Sequence, residues 1–315
     1  MRAAVLDRYG PPSVVRVQEV ADPQPSEGEV VLDVAAVAVT AADARMRGAN
    51  FPRGFGPFAR LGIGVLRPRK RVLGASCSGV VRAVGAGVSG LAVGDEVCGQ
   101  LDAGMGAHAE QVLATATTLV PKPAEVSHED AAGLLFGGTT ALGYLRDKGQ
   151  VQPGHRVLVV GASGAVGTMA VQIAQILGAH VTGVCSTPNV EVVKRLGADE
   201  VIDYRKTPPE HLTGSYDLVI DTVGALSIAT GRRLLSDTGV LQLVAADLWQ
   251  MLAARGRVQA GMVTGKPDDV RQLLQWAAAG DLVSVTDRVL PLDQIVQAHE
   301  VVDSGRKVGN IIITP

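Results

Sequence analysis

The feature that most constrains this chain is a strand that runs into a helix through three glycines. Arg156-Val157-Leu158-Val159-Val160 is a short, largely β-branched run, and Gly161-Ala162-Ser163-Gly164-Ala165-Val166-Gly167 leads from it into an apolar-periodic stretch ending at Leu177-Gly178. A turn of this kind brings backbone N–H groups and the positive end of a helix up to a pyrophosphate. A second apolar run, 180–184, completes most of a βαβ unit, so a dinucleotide site on a doubly wound parallel sheet is expected. The strict G-x-G-x-x-G fingerprint is not met, because Ala162 stands in the place of its first glycine. A tight turn that holds no ligand is the competing reading.

About 20 residues further on, an NAD-binding unit places Asp or Glu on the ribose 2′-hydroxyl. Here the second strand ends Val184-Cys185-Ser186-Thr187-Pro188-Asn189, with no carboxylate. Ser186, Thr187 and Asn189 offer donors at the start of the helix expected over 189–196, a pattern that favours NADPH over NADH. Ser186 and Thr187 serve equally as caps of that helix, and the two roles are compatible.

At 315 residues the chain has room for two domains. Its 29 Lys and Arg nearly balance its 31 Asp and Glu, which gives no overall electrostatic case for nucleic-acid or membrane partners. Cys77, Cys98 and Cys185 are far apart and odd in number, so neither a disulfide framework nor a CxxC metal knuckle is available, and a reduced, cytoplasmic protein is expected. The opening Met1-Arg2-Ala3-Ala4-Val5-Leu6-Asp7 carries charge where a signal peptide needs an apolar core. No uncharged apolar run reaches the roughly 18–20 residues of a membrane helix.

Along the chain, residues 13–20, 29–39, 79–84, 95–98 and 110–114 are short, Val-rich and separated by Gly, Pro and Asp turns, so an antiparallel, partly barrel-like domain is expected first. After Pro121-Lys122-Pro123 the texture turns helical, with Ser127-His128-Glu129-Asp130 as a cap and acidic first turn. Strands and helices then alternate to about Leu282. The last stretch reads strand, helix over 292–304, then strand over 310–314, and by pattern alone fits either domain.

Gly161 to Gly167, Ser186-Thr187, Arg195-Leu196-Gly197-Ala198-Asp199 and Val201-Ile202-Asp203-Tyr204 resemble the zeta-crystallin-like quinone oxidoreductase branch of the medium-chain dehydrogenase/reductases. Gly74 to Gly79, Val93-Gly94-Asp95-Glu96-Val97, Gly137-Gly138-Thr139-Thr140-Ala141 and Asp221-Thr222-Val223-Gly224 follow in that family's order and spacing. The resemblance implies an α/β protein: a GroES-like, mostly antiparallel catalytic domain from residues 1–121 and 286–315, and a Rossmann domain from 122–285. It also implies a nicotinamide in the cleft and a homodimer. Carried over residue by residue, Ser163, Gly164, Ala165 and Val166 would meet the pyrophosphate between Gly161 and Gly167. Ser186, Asn189 and Tyr204 would surround the adenosine 2′-phosphate. Arg205 would stand in for the basic residue that relatives often carry at the place of Pro188. Thr140 would approach the nicotinamide, and Asn310 stands where the family often has Lys near the cofactor.

Zinc alcohol dehydrogenases share the implied fold and use a Cys/His/Cys set, since a Lewis acid must hold the alkoxide. The corresponding places here are Thr40, Ala75 and Leu135-Phe136. Three cysteines cannot supply the four of a structural zinc, and Cys77 reads as a small core residue. No metal is expected. Hydride addition to the C=C bond of a quinone, enone or enoyl thioester needs only hydrogen-bond donors at the developing enolate oxygen, with the proton taken from water. NADPH-dependent reduction of a quinone or α,β-unsaturated carbonyl is therefore the expected activity.

On the substrate side, Thr40 could donate to a carbonyl oxygen, and Asp43 either joins it or caps the short helix that follows. His108 either faces the cleft or packs against it. Phe51, Phe55 and Phe58, three of four phenylalanines, sit among glycines and prolines in residues 48–71, the pattern of a wall over an apolar small-molecule substrate. Arg53, Arg60, Arg67, Arg69, Lys70 and Arg71 share that segment, and no Asp or Glu occurs from Ala44 to Gly94. Such a patch fits an acidic carrier protein or a coenzyme A phosphate, and fits equally a solvated loop. Two alternatives follow: a carrier-dependent enoyl reductase, and a NADPH-binding protein with little catalysis. Tyr144 and Lys148 form a YxxxK pair, but it precedes the glycine loop, unlike the pair of short-chain dehydrogenases.

Overall fold

In the computed structural model, which describes residues 1–101 and 105–315, the Val-rich segments after the first join a seven-stranded sheet, while Val15–Glu19 pairs with Arg2–Leu6 in a separate two-stranded one. The order of the larger sheet is Thr286–Pro291, Asn310–Thr314, Glu29–Val39, Ser76–Val84, Glu96–Gln100 and Leu119–Pro121, with Gln111–Thr115 also on Glu29–Val39. All of its pairings are antiparallel except that of Thr286–Pro291 with Asn310–Thr314. The register Ile311↔Val39 and Ile313↔Val37 fastens the tail to the longest strand, which decides the domain to which the tail belongs. Val30, Leu32, Val37, Val39, Val81, Val97 and Ile311 bury a common core with Ile295, Ala298 and Val302 of the helix Ile295–Asp303. Each such side chain contributes roughly 1.5–3 kcal/mol when fully removed from water.

The glycine loop belongs to a six-stranded, all-parallel sheet. Its order is Glu200–Asp203, His180–Cys185, Arg156–Val160, Tyr216–Asp221, Leu235–Leu243 and Val258–Ala260. Counted along the chain this is 3-2-1-4-5-6, the doubly wound order, and it reverses between Arg156–Val160 and Tyr216–Asp221. Ligands of such sheets bind in the crevice beyond the carboxyl ends of the strands at that reversal. The sequence pattern and the observed sheet agree here because buried parallel strands read as continuous apolar runs.

The boundaries differ from the expected 121/122 and 285/286. Met1–Phe51, Gly56–Phe136 and Gly265–Pro315 form the antiparallel unit, and Pro52–Phe55 with Gly137–Thr264 form the other. The helix Pro267–Ala279 buries Val270, Leu273 and Leu274, and it lies near Leu119–Pro121. Gly133 sits so near Ser284 that a Cβ there would come within 2.2 Å of its Oγ. Alternation of strands and helices does not say which sheet a helix covers, which is why these segments were assignable only from packing. Among the described residues no helix is long and apolar enough to cross a membrane.

Candidate cofactor and substrate site

Two of the three glycines of the loop answer to a local demand. Gly161 has φ +82°, and a Cβ there would stand 2.5 Å from Val223 Cγ1 and 2.6 Å from Thr222 Oγ1. At Gly167 a Cβ would meet the Gly161 carbonyl oxygen at 2.0 Å, so the helix closes on the strand only without one. Gly164 is different: a Cβ there would meet only the Gly161 carbonyl oxygen, at 3.5 Å, and its outer face lies open to a ligand. It caps the helix Ala165–Ile176, whose first N–H groups have no intrahelical acceptor and whose dipole favours an anion. Ala162, in the place of the fingerprint's first glycine, packs its methyl against the neighbouring strand at Gly183. A Cβ on Gly183 would lie 3.2 Å from Ala162 Cβ.

The opposite wall of the crevice is held by Asp221. Buried and acceptor-only, it takes N–H groups from Val223 (3.0 Å), Gly224 (2.9 Å) and Leu226 (2.7 Å). Thr222 Oγ1 donates to the Val160 carbonyl at 2.8 Å and ties that wall to the loop strand. A glycine-lined turn, an open Gly164 and a helix N-terminus at the reversal of the sheet fit a dinucleotide pyrophosphate.

At the end of the second strand, Asn189 Nδ2 donates to Ser163 Oγ at 2.9 Å. Of the two residues read as caps, Ser186 makes no side-chain capping bond. Thr187 spends its hydroxyl on Asp203 Oδ2 at 2.7 Å, and Arg205 N donates to Asp203 Oδ1 at 3.0 Å. The Thr187 hydroxyl, ahead of the Arg205 amide and the Lys206 and Arg205 charges, holds the Asp203 carboxyl below the usual range. Thr187, expected as a direct donor to a phosphate, is thus already engaged by a carboxylate that sequence reading had not placed there. Tyr204 is exposed beside them, its N–H on the Cys185 carbonyl at 3.0 Å. Thr140 is half-buried near the end of the helix His128–Leu142. Asn310 lies in the antiparallel unit, 3 % exposed, and gives its Nδ2 to the Val285 carbonyl at 3.1 Å. It serves to close the tail strand.

In the antiparallel unit, Thr40 and Asp43 form a capping box on the helix Ala41–Gly48. Thr40 Oγ1 accepts from Asp43 N at 3.3 Å and donates to Asp43 Oδ2 at 2.6 Å. Asp43 also takes Thr40 N at 2.8 Å and Gly74 N at 3.0 Å, so this buried carboxylate has three donors. His108 is 1 % exposed, its ring edge-on to His299 with centroids 5.9 Å apart. Of its two readings, the ring packs inside the domain. Burial first, then His108, push the His299 pKa down, against the opposing pull of Asp43, with Arg47 adding to the depression. Arg47 Nη2 meets Asp303 Oδ2 at 2.6 Å and pins the capped helix to the tail helix. Arg47, His299 and Asp303 were missed by sequence reading. The signal for His299 was present: Ile295, Ala298, His299 and Val302 fall on one helical stripe.

Residues 48–71, where the phenylalanines sit among glycines and prolines, contain the helix Gly56–Ile63. Phe51 and Phe55 are half-buried, but Phe58 is 66 % exposed.

The profile of the alcohol dehydrogenase GroES-like domain matches residues 26–124, and that described as zinc-binding dehydrogenase matches 196–313. The chain is similar to a mitochondrial NAD(P)H oxidoreductase of Homo sapiens, 30 % identical over 99 % of this chain and 89 % of that protein. It is 29 % identical to the 2-methylene-furan-3-one reductase of Solanum lycopersicum, over 100 % of this chain and 79 % of the other. The quinone oxidoreductase structure from Coxiella burnetii superposes with a TM-score of 0.89 at 26 % identity, over 100 % of this chain and 99 % of that one. Together with the doubly wound sheet and its glycine cradle, these likenesses place the chain in the medium-chain dehydrogenase/reductase superfamily, in the quinone oxidoreductase branch of nicotinamide-dependent oxidoreductases.

Proposed function

We propose that the chain is a zinc-independent, NADPH-dependent reductase of a quinone or of the C=C bond of an α,β-unsaturated carbonyl. The observation that carries this reading is the Thr40–Asp43 pair at 2.6 Å. By the family resemblance it stands where zinc-dependent relatives present a thiolate ligand. Alcohol oxidation needs a strong electrophile on the alkoxide, and a hydroxyl bound to a carboxylate is a poor one. Reduction of a conjugated carbonyl asks only for a hydrogen-bond donor where the oxyanion develops. The names of the Solanum and Coxiella relatives, a furanone reductase and a quinone oxidoreductase, support the same pair of substrate classes.

A dinucleotide bound on the glycine loop supplies the hydride. The chain's own residues position and exclude. Gly164 admits the pyrophosphate, and Asn189 keeps Ser163 in place beside it. Asp43 fixes the χ1 of Thr40 and holds the backbone at Gly74. The Thr40 proton points at Asp43, so donation to a substrate oxygen requires the hydroxyl to rotate away from a charge-assisted bond. Preference for the 2′-phosphate rests on Ser186, Tyr204 and Arg205 at the end of the second and third strands, working against the Asp203 charge.

The test is consumption of NADPH with a quinone, a cyclic enone and an enoyl thioester in parallel. Turnover of at least one, unchanged by a chelator, is the expected result. Tight NADPH binding with no turnover on all three overturns the reading, as does activity that a chelator removes and zinc restores.

A further inference from the structure

The balanced overall charge conceals a strongly uneven local one. Residues 44–94 contain nine Arg or Lys and no Asp or Glu, and five of the nine fall within 56–71: Arg60, Arg67, Arg69, Lys70 and Arg71. Of these five, Arg71 alone meets a carboxylate among the described residues, Asp7 at 2.9 Å. Arg60 and Arg69 spend donors on the Val65 and Gly62 carbonyls at 3.0 and 3.1 Å, which neutralises neither. Tyr9 clasps the same segment, its hydroxyl on the Ile63 and Gly64 carbonyls at 3.0 and 2.7 Å and its ring under the Arg60 guanidinium at 4.5 Å. The segment is therefore held in one shape by its own bonds.

That shape displays apolar side chains outward. Phe58 and Leu61, one turn apart on the helix Gly56–Ile63, are each 66 % exposed; Val65 is 55 % and Leu66 87 % exposed. Leaving four large apolar side chains in water beside unneutralised cations is costly for no gain within the domain.

We propose that residues 56–71 dock the chain on the surface of an anionic lipid bilayer, with Leu61, Val65 and Leu66 entering the interface and Arg67, Arg69 and Lys70 facing the headgroups. The two signals, apolar insertion and basic charge, are each too weak to anchor alone and together give reversible binding. A bilayer accepts Leu66 without a matching pocket, whereas an acidic protein has to supply one. The proposal is independent of the reaction assigned above.

The experiment is co-sedimentation of the full chain with phosphatidylcholine vesicles, with and without about one-third phosphatidylserine. Two to three basic contacts at the surface raise partition at least ~10-fold on the anionic vesicles, and about 0.5 M salt removes most of that gain. The double variants L61D/L66D and R67E/K70E are each expected to lose ~10-fold or more while keeping the parent's circular dichroism and NADPH affinity. Equal partition to both vesicle types, no partition to either, or variants that bind like the parent overturn the proposal. So does binding confined to polyglutamate, which assigns the face to an acidic protein.

Discussion

Asn189 Nδ2 donates to Ser163 Oγ at 2.9 Å across 26 residues of sequence, joining the end of the second strand to the glycine loop. Because one end of this bond sits at the expected 2′-phosphate and the other at the pyrophosphate turn, Asn189 acts on any dinucleotide. Asn189→Ala removes one neutral bond, about 0.5–1.5 kcal/mol, or roughly 2–10-fold in affinity. Calorimetric titration is expected to show that loss for NADPH and NADH alike. A loss confined to NADPH would assign Asn189 to the phosphate and not to the loop.

The Thr40–Asp43 pair separates two roles that one substitution confuses. Thr40→Val deletes the hydroxyl but leaves Asp43 its bonds from Thr40 N and Gly74 N. It is expected to lower kcat/KM ~10²-fold, the range of a lost oxyanion donor, and to cost about 0.5–2 kcal/mol of stability because the same hydroxyl caps the helix Ala41–Gly48. Asp43→Asn turns an amide towards groups that themselves donate, leaving buried donors facing one another, and is expected to cost about 1–3 kcal/mol of stability. Parallel activity assays and thermal unfolding check both. Equal activity loss with no Tm difference between the two variants would mean that Asp43 acts on substrate and not as a support.

What could be read from the sequence was what the chain needs locally. Gly161 and Gly167 are dictated by contacts within a few residues or one strand away, and Thr40 with Asp43 by the i, i+3 spacing of a capping box. What could not be read depends on distant partners. Arg47 meets Asp303 256 residues on, and Asp203 claims Thr187 from a neighbouring strand. The helix Gly56–Ile63 was obscured for another reason. Gly56 and Gly62 weaken helix propensity, while Pro57 suits a first turn and Phe58 and Leu61 share one face. Net charge misled in the same way, since a sum over 315 residues hides an acid-free run of 51.

All three cysteines are buried. Burial pushes the Cys77 and Cys98 thiols up to about 12 and that of Cys185 to about 11. Thiolate, the reactive form, is then scarce at neutral pH. Ellman's reagent is expected to find no fast-reacting thiol in the native protein and all three after unfolding, and thiol alkylation is expected to leave turnover unchanged. A fast-reacting Cys185, the nearest of the three to the loop's second strand end, would show that this strand opens in solution.

His299 makes the acid limb of stability predictable. Its folded pKa is depressed by burial first, then by His108, with Asp43 opposing and Arg47 reinforcing, while an unfolded histidine titrates near 6.5. Above that value the ring is neutral in both states and contributes no pH dependence. Below it the unfolded chain binds a proton that the folded ring refuses, so stability falls as pH falls, by up to ~1.4 kcal/mol per unit, until the depressed folded value is reached. His299→Leu removes that proton uptake together with two ring nitrogens that have no hydrogen-bond partner among the described residues. The variant is expected to match or exceed the parent's stability at pH 7.5 and to lose stability less steeply between about pH 6.5 and 4.5. His108, Asp43 and Arg47 remain in both proteins, so the difference between their urea-unfolding curves isolates the one ring. Parallel curves across that window would mean that His299 is already protonated in the folded state, paired with the Asp43 carboxylate rather than excluded from water as a neutral ring.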